Sequence, residues 1–216
     1  MATSEVRNMT LMRTFERLAT GLDVEPLLAR LNENPQLWGE ITARQEYTGT
    51  AHTDTECIYP RGPYKFTPYY YMFDLGAYDY PVMDTLADVL VPVLRPLLTD
   101  VLKVEELGRV LIVKLKPGGV VTPHIDEGTY ADYYARFHVA VTGTDKATLT
   151  AGPNTQHFAP GEAWWFDHKV THSARNDGDT DRIHIIIDAV TSLFPMRQVP
   201  VSDNQATTVA SIVGNP

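Results

Sequence analysis

The chain has 216 residues, of which 44% are hydrophobic and 21% charged, and these proportions are ordinary for a globular protein. Its net charge of −9 and pI of about 5.2 argue against general nucleic-acid binding, which depends on a basic surface, so we expect no nucleic-acid partner. The single cysteine, Cys57, excludes a disulfide within the chain and a cysteine cluster for zinc or iron–sulfur.

The N-terminal stretch predicts neither a signal peptide nor a membrane anchor. MATSEVRNMTLMRTFERL has no long apolar core and carries several charges. Elsewhere, no run approaches the roughly 18 apolar residues that a membrane span needs. A lone cysteine suits a reducing compartment. We therefore expect a cytoplasmic protein without a membrane partner.

The first half of the chain predicts helices on either side of a long polar and aromatic stretch. Residues 22–34 place leucines at helical spacing, which favours a short amphipathic helix. Residues 82–103 are apolar all round and predict one buried helix or a broken pair, because Pro92 and Pro96 would kink or divide it. Residues 35–80 have no clear period, and we interpret them as a lid or substrate loop.

From residue 109 onward, short β-branched segments alternate with turn residues. The predicted strands are residues 109–117, 120–126, 135–143, 146–152, 155–159, 160–167, 169–175 and 181–190. Eight short strands over about 80 residues favour a jelly roll or β-sandwich. The turn NDGD at 176–179 predicts that the last two strands form a hairpin.

We expect residues 1–216 to form a single domain with three regions. Residues 1–107 would form the helical and lid region, 108–190 the β core, and 191–216 a loosely attached tail. The sequence makes no prediction about oligomeric state.

A metal site is indicated by His124, Asp126 and His172. His124 and Asp126 are two residues apart on a predicted strand, so alternation places both side chains on one face. Two histidines and one carboxylate can supply three facial ligands to a non-haem Fe(II) and leave positions open for other ligands. A His-x-Asp pair is a weak signal by itself, and an ordinary interior or surface histidine remains the alternative.

Arg182 lies ten residues beyond His172. On the predicted hairpin the register between them would be even, so both side chains would point to one face. A buried arginine needs an anionic partner, and its planar fork suits a carboxylate. The alternative is an ion pair at the sheet edge, with Asp179, Asp181 or Asp188.

The segments PGGVVTPHID, ARFHVAV and PGEAWWFDHKVTHSARNDGDTDRIHIIID resemble the aspartyl/asparaginyl β-hydroxylase family of Fe(II)- and 2-oxoglutarate-dependent oxygenases. The resemblance covers roughly residues 109–190. It implies a mainly β double-stranded β-helix, a cupin-like jelly roll, here with flanking N-terminal α-helices.

The resemblance also implies roles for individual residues. His124 and His172 match the iron-binding histidines, and Arg182 matches the arginine that grips the side-chain carboxylate of 2-oxoglutarate. His138 matches a histidine near the other carboxylate of this co-substrate. Arg136, two residues away on the same predicted face, is a further candidate for co-substrate binding.

Two positions depart from the animal β-hydroxylases that name the family. Asp126 stands where they carry a small residue, which restores the full facial triad and disfavours halogenase chemistry. Val113 stands where they place a hydroxyl side chain near the co-substrate. Upstream, His52, Asp54 and Arg61 match a stretch that approaches the active-site mouth, so they are candidate substrate contacts. A solvated loop is the alternative for these three.

We therefore expect an Fe(II)- and 2-oxoglutarate-dependent dioxygenase. It would use O2 to hydroxylate an unactivated C–H bond of an amino acid, peptidyl residue or related small metabolite, and release succinate and CO2. His124, Asp126 and His172 would be the catalytic metal ligands. The alternatives are a cupin-like metalloenzyme that does not use 2-oxoglutarate and a non-catalytic β-sandwich binding module.

Overall fold

The computed structural model describes residues 13–196. The strands in this range are β1 (Phe15–Ala19), β2 (Thr55–Gly62), β3 (Tyr78–Asp79), β4 (Glu106–Leu115), β5 (Val120–His124), β6 (Ala135–Thr142), β7 (Ala147–Ala151), β8 (Asn154–Gln156), β9 (Ala163–Phe166), β10 (His172–Asn176) and β11 (Arg182–Val190). The α-helices are α1 (Glu25–Glu33), α2 (Ala43–Glu46), α3 (Pro68–Met72), α4 (Met83–Pro96) and α5 (Thr129–Tyr133). A 3₁₀ turn spans Pro35–Leu37, and a π-helical turn spans Leu97–Val101.

The strands form two antiparallel sheets. The larger sheet has seven strands in the order β1-β9-β6-β11-β4-β2-β3, and the smaller has four in the order β5-β10-β7-β8. Side chains from both sheets line one cavity between them. This arrangement confirms the expected mainly β jelly roll with helices toward the N-terminus.

Strand β11 shows how alternation divides the two faces of the larger sheet. Ile183, Ile185 and Ile187 belong to the main apolar cluster. The residues that alternate with them, Arg182, His184 and Ile186, line the cavity. Because successive side chains of a strand point to opposite faces, one strand supplies both the core and the site.

Helices α1 and α4 cover the outer face of the larger sheet. Leu27 and Leu31 of α1 and Leu90 of α4 are almost fully buried, in one cluster with Phe137 and Ile185 of the sheet. Burying each such side chain contributes roughly 1.5–3 kcal/mol. This layer holds β11 and β6 rigidly from behind, which fixes the side chains that they direct into the cavity.

The prolines of α4 do not divide it. The helix is continuous from Met83 to Pro96 and then changes to the π-helical turn. Pro92, Pro96 and Asp88 are all exposed. The carbonyls that lose an intrahelical partner, those of residues 88 and 92, therefore lie toward solvent, where water can bond to them.

The predicted hairpin between the last two strands is wrong. β10 lies between β5 and β7 in the smaller sheet, whereas β11 lies between β4 and β6 in the larger one. The turn itself forms, because the Asn176 amide donates to the carbonyls of Leu115 and Thr180 at 2.9 and 2.8 Å. It carries the chain from one sheet to the other.

Part of the predicted loop is also regular structure. β2 pairs with β4 through Thr55↔Leu115 and Ile58↔Ile112, with an irregularity before Arg61. Pro60 lies at this irregularity, which hides the alternation expected of a strand. β1 and β2 thus extend the larger sheet beyond the predicted core of 108–190. The predicted tail lies outside the described residues from 197 onward, as do residues 1–12.

Between residues 13 and 196, the helices are too short or too polar for any of them to cross a membrane.

Candidate active site

His124 and His172 are cross-strand neighbours on β5 and β10, with ring centroids 4.2 Å apart. His124 Nδ1 bonds to the carbonyl of Thr122 at 2.8 Å, and His172 Nδ1 bonds to the carbonyl of Val170 at 3.0 Å. A carbonyl only accepts, so each Nδ1 carries the proton. The Nε2 lone pair of each ring is therefore free for a metal.

Asp126 meets these two nitrogens from just beyond the end of β5. Its carboxylate oxygens lie 3.7 Å from His124 Nε2 and 3.9 Å from His172 Nε2. The three ligand atoms all lie within 4.8 Å of one another. The Asp126 backbone is held at both ends, because its N–H bonds to the His168 carbonyl and its own carbonyl accepts from Lys169.

The protonation states suit a divalent cation. Burial lowers the pKa of His172 to about 4 and also lowers the pKa of His124. Burial alone would raise the pKa of Asp126, but the Arg136 guanidinium and the neighbouring histidines outweigh it and hold this pKa well below its ordinary value. At neutral pH the cluster presents two neutral imidazoles and one carboxylate.

Arg136 links the cluster to a second carboxylate. Its Nη1 donates to Asp126 Oδ2 at 2.6 Å, while Nε and Nη2 donate to the two oxygens of Asp188 at 2.8 and 3.0 Å. The guanidinium lines the cavity, and each of its three nitrogens already donates to a carboxylate. The structure therefore places Arg136 where it orients Asp126.

Arg182 is a buried cation, 5% exposed, on the cavity wall. Within residues 13–196 it forms no ion pair with an acidic side chain, and its Nη2 is buried without a hydrogen-bond partner. Asp188, one alternative partner, bonds to Arg136 instead. Burial lowers the pKa of Arg182 to about 10, so the group remains charged at neutral pH. A buried, unmatched guanidinium fits an anionic ligand.

His138 and His184 form a neutral pair beside Arg182. Their Nδ1 atoms are 3.3 Å apart, so one ring donates to the other. Burial, followed by the charge of Arg182, lowers the pKa of each well below its ordinary value. His138 Nε2 is buried without a partner in the described part of the chain. Val113, opposite His184 in the register, adds an apolar wall.

The cavity has an empty volume of about 480 Å³. Six of the residues predicted to bind metal, co-substrate or substrate line it, namely His52, His124, Arg136, His138, His172 and Arg182. Asp126 lies beside it in the ligand cluster. Asp54 and Arg61 are placed elsewhere: Asp54 accepts from the Val120 N–H, and Arg61 bonds to Asp79 and the Gly108 carbonyl.

One charged cavity residue was missed in the sequence. Arg44 of α2 is 7% exposed, lines the cavity, and bonds through Nη2 to His52 Nε2 at 3.2 Å. Its Nη1 lies 3.9 Å from Cys57 Sγ. It belongs to the stretch without periodicity, so no local pattern identified its direction.

Comparison with known proteins links these features to a family. The model of the aspartyl/asparaginyl beta-hydroxylase family matches residues 38–191. The L-proline cis-4-hydroxylase of Rhizobium meliloti (strain 1021) is 27% identical over 84 residues, which are 39% of this chain and 30% of that protein. This chain thus spans less than a third of that relative in the alignment.

Two solved structures are similar at low identity. An oxidoreductase of the 2OG-Fe(II) oxygenase family from Burkholderia pseudomallei has a TM-score of 0.49 at 13% identity, over 75% of this chain and 76% of that one. A cupin domain from Bordetella pertussis Tohama I has a TM-score of 0.32 at 19% identity, over 40% of this chain and 85% of that one.

Proposed function

Because this chain belongs to the aspartyl/asparaginyl β-hydroxylase family, we propose that it is an Fe(II)- and 2-oxoglutarate-dependent dioxygenase that hydroxylates an unactivated C–H bond. One observation carries the proposal. The convergent ligands His124, Asp126 and His172 share a cavity with Arg182, a buried cation without an acidic partner in the described residues.

The donor set fits iron. Two imidazole nitrogens and one carboxylate oxygen on one side of an ion are typical of non-haem Fe(II) oxygenases and leave positions for a co-substrate and O2. When bound, the iron supplies the oxidation: one atom of O2 enters the substrate C–H bond and the other ends in succinate, as 2-oxoglutarate loses CO2.

The protein's own residues bind and orient. Arg182 would hold the distal carboxylate of 2-oxoglutarate with its planar fork, in a site where burial strengthens the contact. His138, with an unpartnered Nε2, would contact the other end of the co-substrate and is steadied by His184. Arg136 would keep Asp126 Oδ2 occupied, so that Oδ1 is left to face the metal.

The alternatives explain less. A cupin-like metalloenzyme without an oxo-acid accounts for the ligand cluster but leaves Arg182 buried and unmatched. A non-catalytic binding module accounts for neither the ligand cluster nor the buried Arg182. The likeness to a proline hydroxylase favours an amino acid, free or within a peptide, as substrate. A cytoplasmic location is part of the proposal, supported by the lone buried Cys57.

The test is iron binding and 2-oxoglutarate turnover by the purified full chain. We expect one equivalent of Fe(II), and succinate formation that is stimulated by members of an amino-acid and peptide panel. His124→Ala should lose the metal. Arg182→Met should raise the KM for 2-oxoglutarate by roughly 30-fold or more, because a buried carboxylate loses its charged partner.

Arg95→Met is the matched control, because Arg95 is exposed on α4 and does not line the cavity. It should leave Fe(II) binding and the KM for 2-oxoglutarate unchanged. A wild-type protein that binds neither iron nor 2-oxoglutarate would overturn the proposal.

A further inference from the structure

Three arginines line the cavity, and one of them has no role in the proposed function. Arg136 is matched by Asp126 and Asp188. Arg182 is assigned to the co-substrate. Arg44 is buried to a similar degree, yet among residues 13–196 it forms no ion pair with an acidic side chain. Holding such a charge away from water is costly unless an anion compensates it.

The partners of Arg44 within the protein are neutral. They are His52 Nε2, at 3.2 Å, and the thiol of Cys57, at 3.9 Å. A guanidinium can only donate, so His52 accepts at Nε2 and carries its proton on Nδ1. That Nδ1 is buried without a partner in the described residues. Arg44 and His52 therefore combine a positive charge with an unused N–H donor.

This pair adjoins the metal cluster. The His52 ring packs edge-on against the ring of His124, with centroids 4.8 Å apart. A ligand group held by Arg44 and His52 would thus lie in the same cavity as the metal ligands, close to the reacting centre.

The sum of charges expected with Fe(II) and 2-oxoglutarate bound also favours an anionic group beside Arg44. The two positive charges of Fe(II) and the two negative charges of 2-oxoglutarate cancel. Asp126 and Asp188 together offset Arg136 and one further arginine. One buried positive charge then remains, and a substrate carboxylate placed beside Arg44 would offset it locally.

We propose that Arg44 and His52 form a subsite for a carboxylate of the substrate. The inference rests on the proposed function and narrows its substrate class to molecules with a carboxylate near the hydroxylated carbon. That carboxylate has two possible sources: the α-carboxylate of a free amino acid, or the side-chain carboxylate of a peptidyl aspartate.

The experiment compares matched carboxylates and amides as stimulators of succinate formation. The probes are the free L-amino acids, their α-carboxamides, and short peptides with an internal aspartate or asparagine. We expect activity with a carboxylate and at least a tenfold higher KM for its amide. Free amino acids that outperform their carboxamides indicate the α-carboxylate, and aspartyl peptides that outperform asparaginyl peptides indicate the side chain.

The variants Arg44→Met and Arg44→Lys test the residue itself. Arg44→Met should raise the KM for the substrate roughly 30-fold or more and leave the KM for 2-oxoglutarate and Fe(II) binding unchanged. Arg44→Lys should recover part of the loss, because it keeps the charge without the fork. Thermal unfolding of both variants checks that they fold, and Arg95→Met is again the control.

Two results would overturn the inference. One is equal use of carboxylates and amides by the wild type, and the other is a KM change in Arg44→Met for 2-oxoglutarate instead of the substrate. Neither result contradicts the proposed function, which fails only if iron and 2-oxoglutarate do not bind.

Discussion

The nitrogen that each ligand histidine offers is decided by the backbone two residues earlier. His124 and His172 both donate Nδ1–H to such a carbonyl, those of Thr122 and Val170. Each ring is thereby fixed in orientation and in tautomer before any metal arrives. Preorganised ligands bind a metal more tightly because less order is lost on binding.

Arg136→Gln should weaken metal binding by about 10- to 100-fold, the range typical of residues that orient a ligand. The reason is that Asp126 loses the guanidinium that holds Oδ2 at 2.6 Å. The measurement is calorimetric titration of the purified protein with Mn²⁺ or Co²⁺ as stand-ins for Fe(II). Unchanged affinity would contradict the orienting role.

A second variant separates this effect from a loss of folding. Arg136→Gln also leaves Asp188 buried without its cation, which costs about 3–5 kcal/mol of stability. Adding Asp188→Asn removes that unpaired charge. The double variant should regain most of the stability but not the metal affinity.

Arg182→Met should leave the protein without its co-substrate more stable than the wild type. The lowering of the Arg182 pKa from 12.5 to about 10 corresponds to a cost of about 3 kcal/mol for holding the buried charge. We expect a gain of about 1–3 kcal/mol in the free energy of unfolding, measured in urea.

We expect added 2-oxoglutarate to stabilise the metal-loaded wild type, and the same variant should lose this stabilisation. A variant that is less stable than wild type in the absence of co-substrate would mean that Arg182 has a structural partner after all.

At the residue scale, the sequence predicted the members of the site better than their contacts. His124 and Asp126 were brought together by their spacing along one strand, and the resemblance to a family added His172 and Arg182. Arg44 was not identified, because its approach to the cavity depends on how a short helix packs against distant strands.

At the scale of elements, local turn signals predicted where the chain reverses but not what each strand pairs with. β10 and β11 are adjacent in sequence yet lie in different sheets, and both still direct side chains into the cavity. His172 and Arg182 do line the same cavity, as predicted, but not because they share a hairpin. The two side chains line the cavity from sheets on its two sides.

Pro92→Ala should stabilise α4. The substitution restores the hydrogen bond from residue 92 to the carbonyl of Asp88 and removes the ring that crowds it. Pro92 is exposed, so no packing is lost. Because alanine also frees the unfolded chain, we expect a net gain of only about 1–2 kcal/mol.

Urea unfolding of the two proteins measures the gain. Arg95→Ala is a useful comparison, since it changes another exposed residue of the same helix without restoring a bond. A Pro92→Ala protein less stable than wild type would mean that the proline is required for the path into the π-helical turn at Leu97–Val101.

Across the whole molecule, stability and chemistry occupy opposite faces of one sheet. The outer face packs against α1 and α4 in an almost entirely apolar layer. The inner face holds Arg182, His138 and His184, whose burial disfavours their charged forms. The apolar layer stabilises the strands strongly enough to keep these groups in place.

This arrangement makes stability depend on pH through His138 and His184. Burial is the main reason that both have pKa values well below the ordinary 6.5 in the folded state. Below pH 6.5 the unfolded chain takes up protons that the folded chain does not, so stability is unaffected above that pH and falls as the pH drops. At pH 5 each histidine that stays neutral costs about 2 kcal/mol.

Unfolding in urea between pH 8 and pH 5, with a chelator to exclude metal, measures this dependence. His184→Phe removes one of the buried histidines with a lowered pKa and keeps a ring to stack on Phe158. Its free energy of unfolding should therefore fall less steeply with decreasing pH than that of wild type below pH 6.5. The difference in slope should correspond to the uptake of about one proton fewer on unfolding. Lys65→Met is the control, because it changes an exposed charge at a residue that does not line the cavity. Equal slopes for wild type and His184→Phe would show that His184 takes up its proton in the folded protein, with the cavity open enough to hydrate it.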